Sequence, residues 1–332
     1  MSTRIGTVRV PWAVRQVGTT ILTLIFVLVF NFFLFRMLPG DALRSYTRGR
    51  QVDPEQLAAL RRSMHLDGSK WEQFWAYVRN PFNPDVLSLK FRQPVFEVIG
   101  DRVWPTLLLV GTATVLASVF GIWIGIRSAW RRGHTFDKLA TTASVALYAM
   151  PEFWLGMLLL IVFSSGVGGL PGLFPSGQMS SVTDSAGTWA QLDDLIAHLV
   201  LPCLALTLAY LAEYVTVMRS SLLDEMGADY LNTARAKGLR DALVRRRHAV
   251  PNALLPTITL IFMNLGYVIS GAITIETVFS WPGLGQLTYE ALTGPDVPLL
   301  EGLFLIFSVS VVLANLVADL LYGLLDPRVR LS

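Results

Sequence analysis

The sequence predicts an all-α integral membrane protein with six transmembrane helices, both termini in the cytoplasm and a long external loop between helices 1 and 2. Three observations lead there. Of its 332 residues 53% are hydrophobic and only 15% charged, where a soluble domain carries about 25% charged, and mean hydropathy is +0.51. Six apolar runs are each long enough to cross about 30 Å of hydrocarbon. Lys and Arg gather in alternate short connections, which orients the spans; residues 37–104 hold ten more but exceed the roughly 60 residues over which the bias operates, so they can still be external.

The first run, Val17–Phe35, follows Arg4, Arg9 and Arg15. It is too long for a signal-peptide core and has no small-residue cleavage site, so it reads as an uncleaved anchor. Residues 37–104 follow as an external helical segment. Asp53-Pro54 has the form of an N-cap and first-turn proline, with Leu57, Leu60 and Met64 on one face. His65-Leu66-Asp67-Gly68 then breaks the helix. Ser69 and Glu72 have capping-box spacing and open a second helix whose apolar face is Trp71, Phe74, Trp75 and Val78. Such a hairpin suits either the membrane interface, where tryptophan is favoured, or an external partner.

The remaining runs are Pro105–Ile126, Leu139–Phe163, His198–Met218, Ala253–Ile275 and Leu299–Tyr322. In the second, Ala113, Ala117, Gly121 and Gly125 recur every four residues, a smooth stripe for close helix approach. The loop after it carries Arg127, Arg131, Arg132 and Lys138, and the loop after span four carries Arg219, Arg235, Lys237, Arg240 and Arg245 to Arg247. Between Ser164 and Ala197, and between Glu276 and Pro298, there is no Lys or Arg. The basic loops therefore face the cytoplasm with both ends of the chain. The Gly-rich stretch Gly166–Gly172 lacks the strand–turn–helix setting of a nucleotide fingerprint.

Several chemistries are missing from the sequence. It contains no phosphate-binding GxxxxGK[ST] loop, no nucleophile-elbow serine and no metal-ligand spacing among His65, His134, His198 and His248. Cys203 is the single cysteine, so no disulfide framework exists. A net charge of +3 spread over loops does not point to nucleic acid. The acids near membrane depth are Glu152, Glu213 and Asp319. Such groups face a cavity or a partner, so Glu213 either pairs with a neighbouring helix or serves the substrate.

The most informative stretch is Asp229-Tyr230-Leu231-Asn232-Thr233-Ala234-Arg235-Ala236-Lys237-Gly238-Leu239. Asp229 is placed to cap a short helix, Leu231 and Ala234 share a face, and Gly238 ends it in the left-handed conformation. Two turns are too few to stand alone in water, so the helix needs a docking surface. Spacing leaves two, another protein or anionic headgroups held by Arg245 to Arg247.

This stretch resembles the EAA loop of ABC-importer permeases, specifically the dipeptide/oligopeptide permease B family. Thr233 to Leu239 reads TARAKGL, followed by His248, Asn252 and Pro256, and Pro251 stands thirteen residues after Gly238. Other matching motifs occur in order: Leu38-Pro39-Gly40-Asp41, Leu201-Pro202, Glu276 to Gly285, Asp319 to Tyr322 and Asp326 to Arg330. Two departures stand out. Asn232 replaces the generic motif's leading glutamate, and Thr216 stands where relatives often carry arginine.

The resemblance implies a transmembrane subunit, not an enzyme, of an ATP-driven, binding-protein-dependent importer in the bacterial cytoplasmic (inner) membrane. It implies a second permease, two cytoplasmic ATPase subunits that bind ATP and Mg, an external solute-binding protein and the lipid bilayer as partners, with no cofactor in this chain. Its domains would be residues 1–36 (cytoplasmic start and first span), 37–104 (external segment), 105–325 (permease core, with coupling loop 219–252) and 326–332 (cytoplasmic tail). Asp229, Tyr230, Thr233, Ala234, Arg235, Ala236, Lys237, Gly238 and Leu239 would engage the ATPase subunit, Arg235 and Lys237 through acidic groups in its cleft. Glu213, Asn264, Glu276 and Trp281 are the candidates for the pathway or its gate. The Trp281–Gly285 turn reads equally as a tight turn that closes the bundle or as an external gate. Di- or oligopeptides are the expected cargo, with nickel, glutathione or oligosaccharide as alternatives. A self-sufficient channel or ion-coupled transporter would want inverted repeats, several acids or histidines at comparable depth and helices broken at mid-depth, and the sequence presents no such set.

Overall fold

The computed structural model describes residues 12–37, 68–166, 172–181, 187–268, 272–294 and 296–325. Leu38–Asp41, the Asp53-Pro54 helix, most of the Gly-rich loop and Asp326–Arg330 lie outside them. Among the described residues the chain is helical, with one isolated bridge between Leu87 and Pro94 and no strand. The helices are α1 (Trp12–Met37), α2 (Lys70–Arg79), α3 (Val95–Trp130), α4 (Thr135–Ala149), α5 (Glu152–Phe163) and α6 (Thr188–Glu225). They continue as α7 (Asp229–Ala236), α8 (Asp241–Val244), α9 (Val250–Val268), α10 (Ile273–Val278), α11 (Leu284–Thr293) and α12 (Val297–Leu325).

Four of them, α1, α3, α6 and α12, are long and apolar enough to cross a membrane, and α4 with α5 makes a fifth if the bent pair counts as one span. Their outer faces display large apolar side chains such as Ile21, Leu22, Phe26, Val115, Val119 and Phe120. An apolar exterior of that extent suits lipid.

Four spans differ from the sequence expectation. The third, expected as one helix broken nowhere, bends by 103° between Ala149 and Glu152. Pro151 lacks an N–H and its ring disfavours helical backbone at Met150, which is extended with ψ 129°. The second and fourth run well past their apolar cores, with Pro105 and Pro202 inside the helices rather than at their starts. The fifth, expected to reach Ile275, is helical to Val268, and α10 is a separate helix from Ile273.

Close packing of α3 on α6 forms the centre. Ala113, Ala117, Gly121 and Gly125 are all buried, and the partner of their stripe is α6 of the same chain. A Cβ on Gly121 would collide with Tyr214, and one on Gly125 would stand 2.8 Å from the Met218 Cβ. Around this seam lies a core of Leu109, Ala113, Leu201, Leu206, Ile275, Phe279 and Trp281. α1 packs along α12, where Asn31 Nδ2 donates to Ser308 Oγ at 2.7 Å, and Gln16 donates to Asp319.

α2 starts with the expected capping box: Ser69 N–H donates to Glu72 Oε2 at 2.7 Å and Glu72 N–H to Ser69 Oγ at 3.3 Å. Its buried face is Gln73, Ala76 and Tyr77 rather than the tryptophan face. Tyr77 meets Phe32 and Leu305, with Phe74 and Val78 at the edge of that contact, while Trp71 and Trp75 stay exposed. Exposed indole rings suit a headgroup boundary and equally the face of an external partner.

Candidate functional site

Four polar clusters stand out, at one end of the bundle, within it, at the α10–α11 turn and at the α3–α4 connection. The first is built on α7. Eight residues make about 12 Å of helix, which cannot persist without support. Leu231 and Ala234, one turn apart, supply it by packing on Met218 and Leu222 of α6 and on Val244, Ala249 and Ala253. Leu239 sits half-buried at the edge of this cluster.

A hydrogen-bonded knot fixes the start of α7. The Tyr230 hydroxyl donates to Glu225, at the end of α6, and stands 3.1 Å from the His248 carbonyl. Asn252 Nδ2, in the first turn of α9, donates to Tyr230 Oη at 2.9 Å and Glu225 Oε1 at 3.3 Å. Partial burial, and then the bond to Glu225, raise the Tyr230 phenol above its ordinary pKa, so it stays a donor. Motif residues far apart in sequence thus meet at one point between α6, α7 and α9.

Asp229 does not cap the helix. It is the first helical residue, Ala228 is the N-cap without a side-chain bond, and the Asp229 carbonyl accepts from Thr233 Oγ1 at 3.3 Å. An acid in the first turn still favours the positive helix end. Arg235 Nε meets Asp241 Oδ1 at 3.2 Å and its other arm meets Asn232 Oδ1 at 3.1 Å, so part of its pairing is met within the chain. Thr233, Ala236 and Lys237 are exposed. Gly238 follows with φ 81° and open space where a side chain would go, as the left-handed end requires.

The second cluster joins α6 to α9. Asn264 Nδ2 lies 3.4 Å from Glu213 Oε2 and 3.1 Å from Tyr214 Oη. Glu213 and Asn264 are both half-buried, which is the neighbouring-helix pairing expected of an acid at this depth.

The third cluster is fully enclosed. Glu276 and Trp281 are both 0% exposed. Thr106 Oγ1 donates to Glu276 Oε1 at 3.0 Å and accepts from the Leu284 N–H at 2.7 Å. The Gln286 N–H donates to Glu276 Oε2 at 3.0 Å, and Trp281 Nε1 donates to the Pro105 carbonyl at 2.9 Å. A Cβ on Gly283 would strike the Glu276 carboxylate and Thr106, and one on Gly285 would come within 2.7 Å of the Ile273 Cα. The motif from Glu276 to Gly285 is therefore a turn folded around a carboxylate and sealed onto α3.

One cluster has no counterpart among the sequence candidates. Arg219 Nε donates to Asp137 Oδ1 at 2.6 Å and its terminal nitrogen to Oδ2 at 3.0 Å. Asp137 also accepts from Ser128 and, at 2.9 Å, from the Gly133 N–H. Asp137 is the sole acid between Arg127 and Lys138, and that isolation is the signal that could have marked it.

Comparison with known proteins identifies the family. Residues 117–331 match the family model described as binding-protein-dependent transport system inner membrane component. Residues 10–109 match the model of the N-terminal part of such membrane components. The dipeptide transport system permease protein DppB of Escherichia coli (strain K12) is 36% identical over 330 residues, covering 95% of this chain and 97% of its own. The glutathione transport system permease protein GsiC of the same strain is 35% identical over 320 residues, covering 96% and 98%.

Proposed function

The chain belongs to the family of binding-protein-dependent transport system inner membrane components, and on that premise we propose that it forms half of the translocation pathway of an ATP-driven importer for di- and oligopeptides. It is a multi-pass inner-membrane transport subunit rather than an enzyme. The similarity to a dipeptide permease and a glutathione permease favours peptides as the cargo class.

The observation that carries the reading is α7. It is a short helix with an apolar root in α6 and α9, tied down by Tyr230, Glu225 and Asn252, and with Thr233, Ala236 and Lys237 outward. An outward helix rooted in two long helices is suited to receive force from a cytoplasmic ATPase and pass it to the spans. Coupling requires contacts that differ between two states. A helix rooted firmly in the bundle and free on its outer side leaves a surface on which such contacts can form.

The complete assembly then holds a second permease, two ATPase subunits and an external solute-binding protein, with ATP and Mg bound by the ATPases and no cofactor here. Six crossings follow if α1, α3, the bent α4–α5 pair, α6, α9 and α12 each cross once. The Lys/Arg pattern of the short connections favours the chain ends, the α3–α4 connection and α7 in the cytoplasm, and residues 37–104, too long to follow that bias, are then outside. Residues 219–252 are the coupling segment within a core of 105–325. Glu213 and Asn264 are the pathway candidates. Glu276 and Trp281 serve as the pin of an external closing turn.

Affinity purification of the tagged chain at native expression, followed by reconstitution, tests the reading. The expected result is co-purification of a second permease and ATPase subunits, with peptide uptake that needs ATP and the binding protein. A chain that purifies alone and transports without ATP would overturn it.

A further inference from the structure

A pocket of about 470 Å³ opens where α3 ends against the turn leading into α9, lined by Trp123, Ile126, Arg127, Arg245, Arg246 and Val250. Three guanidinium groups border it, no carboxylate lines it, and among the described residues none of the three makes an ion pair. Arg127 stacks over Trp123 at 5.6 Å and Phe136 at 5.4 Å, and Arg245 over Trp130 at 5.4 Å. Stacking holds a guanidinium by its face and leaves the in-plane N–H fork free, the geometry that grips a phosphate.

A second cavity lies further back along α3. An apolar groove of about 490 Å³ runs between α3 and α6, with Thr112, Leu116, Phe120 and Ile124 on one wall and Leu204 and Leu208 on the other. Trp123, Ile124 and Arg127 lie three, four and seven residues beyond Phe120, so groove and basic pocket share one face of α3. Phe120 and Arg127 are about 10 Å apart along the helix axis. A basic, aromatic-rimmed pocket about 10 Å along the same helix face from an apolar groove matches an amphiphile with an anionic head.

We propose that this face binds one anionic phospholipid of the cytoplasmic leaflet, with its phosphate held by Arg127, Arg245 and Arg246 and an acyl chain lying in the α3–α6 groove. The proposal rests on the orientation given above, which places this end of α3 at the cytoplasmic surface, where anionic lipids concentrate. Arg245 and Arg246 belong to the π-helical turn Arg245–Ala249 that joins α8 to α9. A lipid seated there braces the segment from which α7 hangs.

The test uses the assembled transporter, delipidated in mild detergent, incubated with phosphatidylglycerol or phosphatidylcholine and read by native mass spectrometry. The expected result is preferential retention of phosphatidylglycerol. Replacing the three arginines by glutamine should lower retention about fivefold for each charge removed, whereas lysine at the same positions, which keeps the charge without the fork, should restore part of it and so exclude misfolding. Leu208→Trp, which fills the groove, should lower phosphatidylglycerol retention without altering the arginines. Equal retention of both lipids, retention unaffected by the glutamine changes, or displacement by millimolar inorganic phosphate would each overturn the proposal. Peptide uptake measured on the same preparation reports separately on the importer reading.

Discussion

Arg219, in the last part of α6, holds Asp137, in the first turn of α4, through two parallel hydrogen bonds of 2.6 and 3.0 Å. The fork geometry pairs two residues 82 positions apart and closes the α3–α4 connection against α6. Removing one member leaves a charge with only 5% or 24% of its side chain exposed and no counter-ion. Asp137→Ala and Arg219→Ala should each destabilise the protein by about 2–4 kcal/mol. The double variant should cost little more than either single change. Thermal unfolding in detergent measures the cycle, and additive losses would show that the pair is not coupled.

The Glu276 turn depends on space as much as on bonding. Thr106→Val removes the hydroxyl that serves Glu276 and the Leu284 N–H together, at a cost of about 1–3 kcal/mol for the groups left unpaired. Gly283→Ala should be worse, since its methyl has no place to go. Both should expose residues 279–286 to protease while α3 and α6 stay protected. Unchanged cleavage in Gly283→Ala would contradict the tight seal.

Tyr230→Phe takes away the hydroxyl that joins Glu225, Asn252 and the His248 carbonyl. A loss of about 1 kcal/mol is expected, confined to α7. Hydrogen exchange over residues 229–236 should quicken, with little change in α6 or α9. Uniform acceleration across all three helices would assign the cluster to global stability instead.

Gly238 has open space around it, so a side chain there meets strain rather than collision. Left-handed backbone costs a non-glycine residue about 1–2 kcal/mol, and Asn tolerates it better than Ala. Gly238→Asp should leave membrane insertion intact while uncoupling import from ATP hydrolysis. Normal import by this variant would remove the 229–239 segment from the coupling role.

Much of this was legible in the sequence because its causes are local. The capping box at Ser69, the small-residue stripe from Ala113 to Gly125, the shared face of Leu231 and Ala234 and the left-handed Gly238 each follow from neighbouring residues. What stayed hidden depends on partners distant in sequence. Asp137 finds Arg219, and Glu276 finds Thr106, only after helices pack. Asp229 has the residue type of a cap, but the chain enters α7 from Ala228 and leaves Asp229 inside the first turn. The prolines make the same point: Pro105, Pro202 and Pro256 stay inside helices whereas Pro151 divides one. Residue type alone cannot separate them, because the surroundings decide whether a lost hydrogen bond is tolerated.

α6 is 38 residues long with Pro202 within it, a site where helices hinge most readily. At 1.5 Å per residue the arm from Pro202 to Glu225 is about 35 Å and the arm from Thr188 to Pro202 about 21 Å. With Pro202 as fulcrum, α6 is an unequal lever whose long arm carries the root of α7. A given swing moves that root about five units for every three at the opposite tip. A large stroke at the α7 end would therefore arrive at the far side reduced in distance and increased in force.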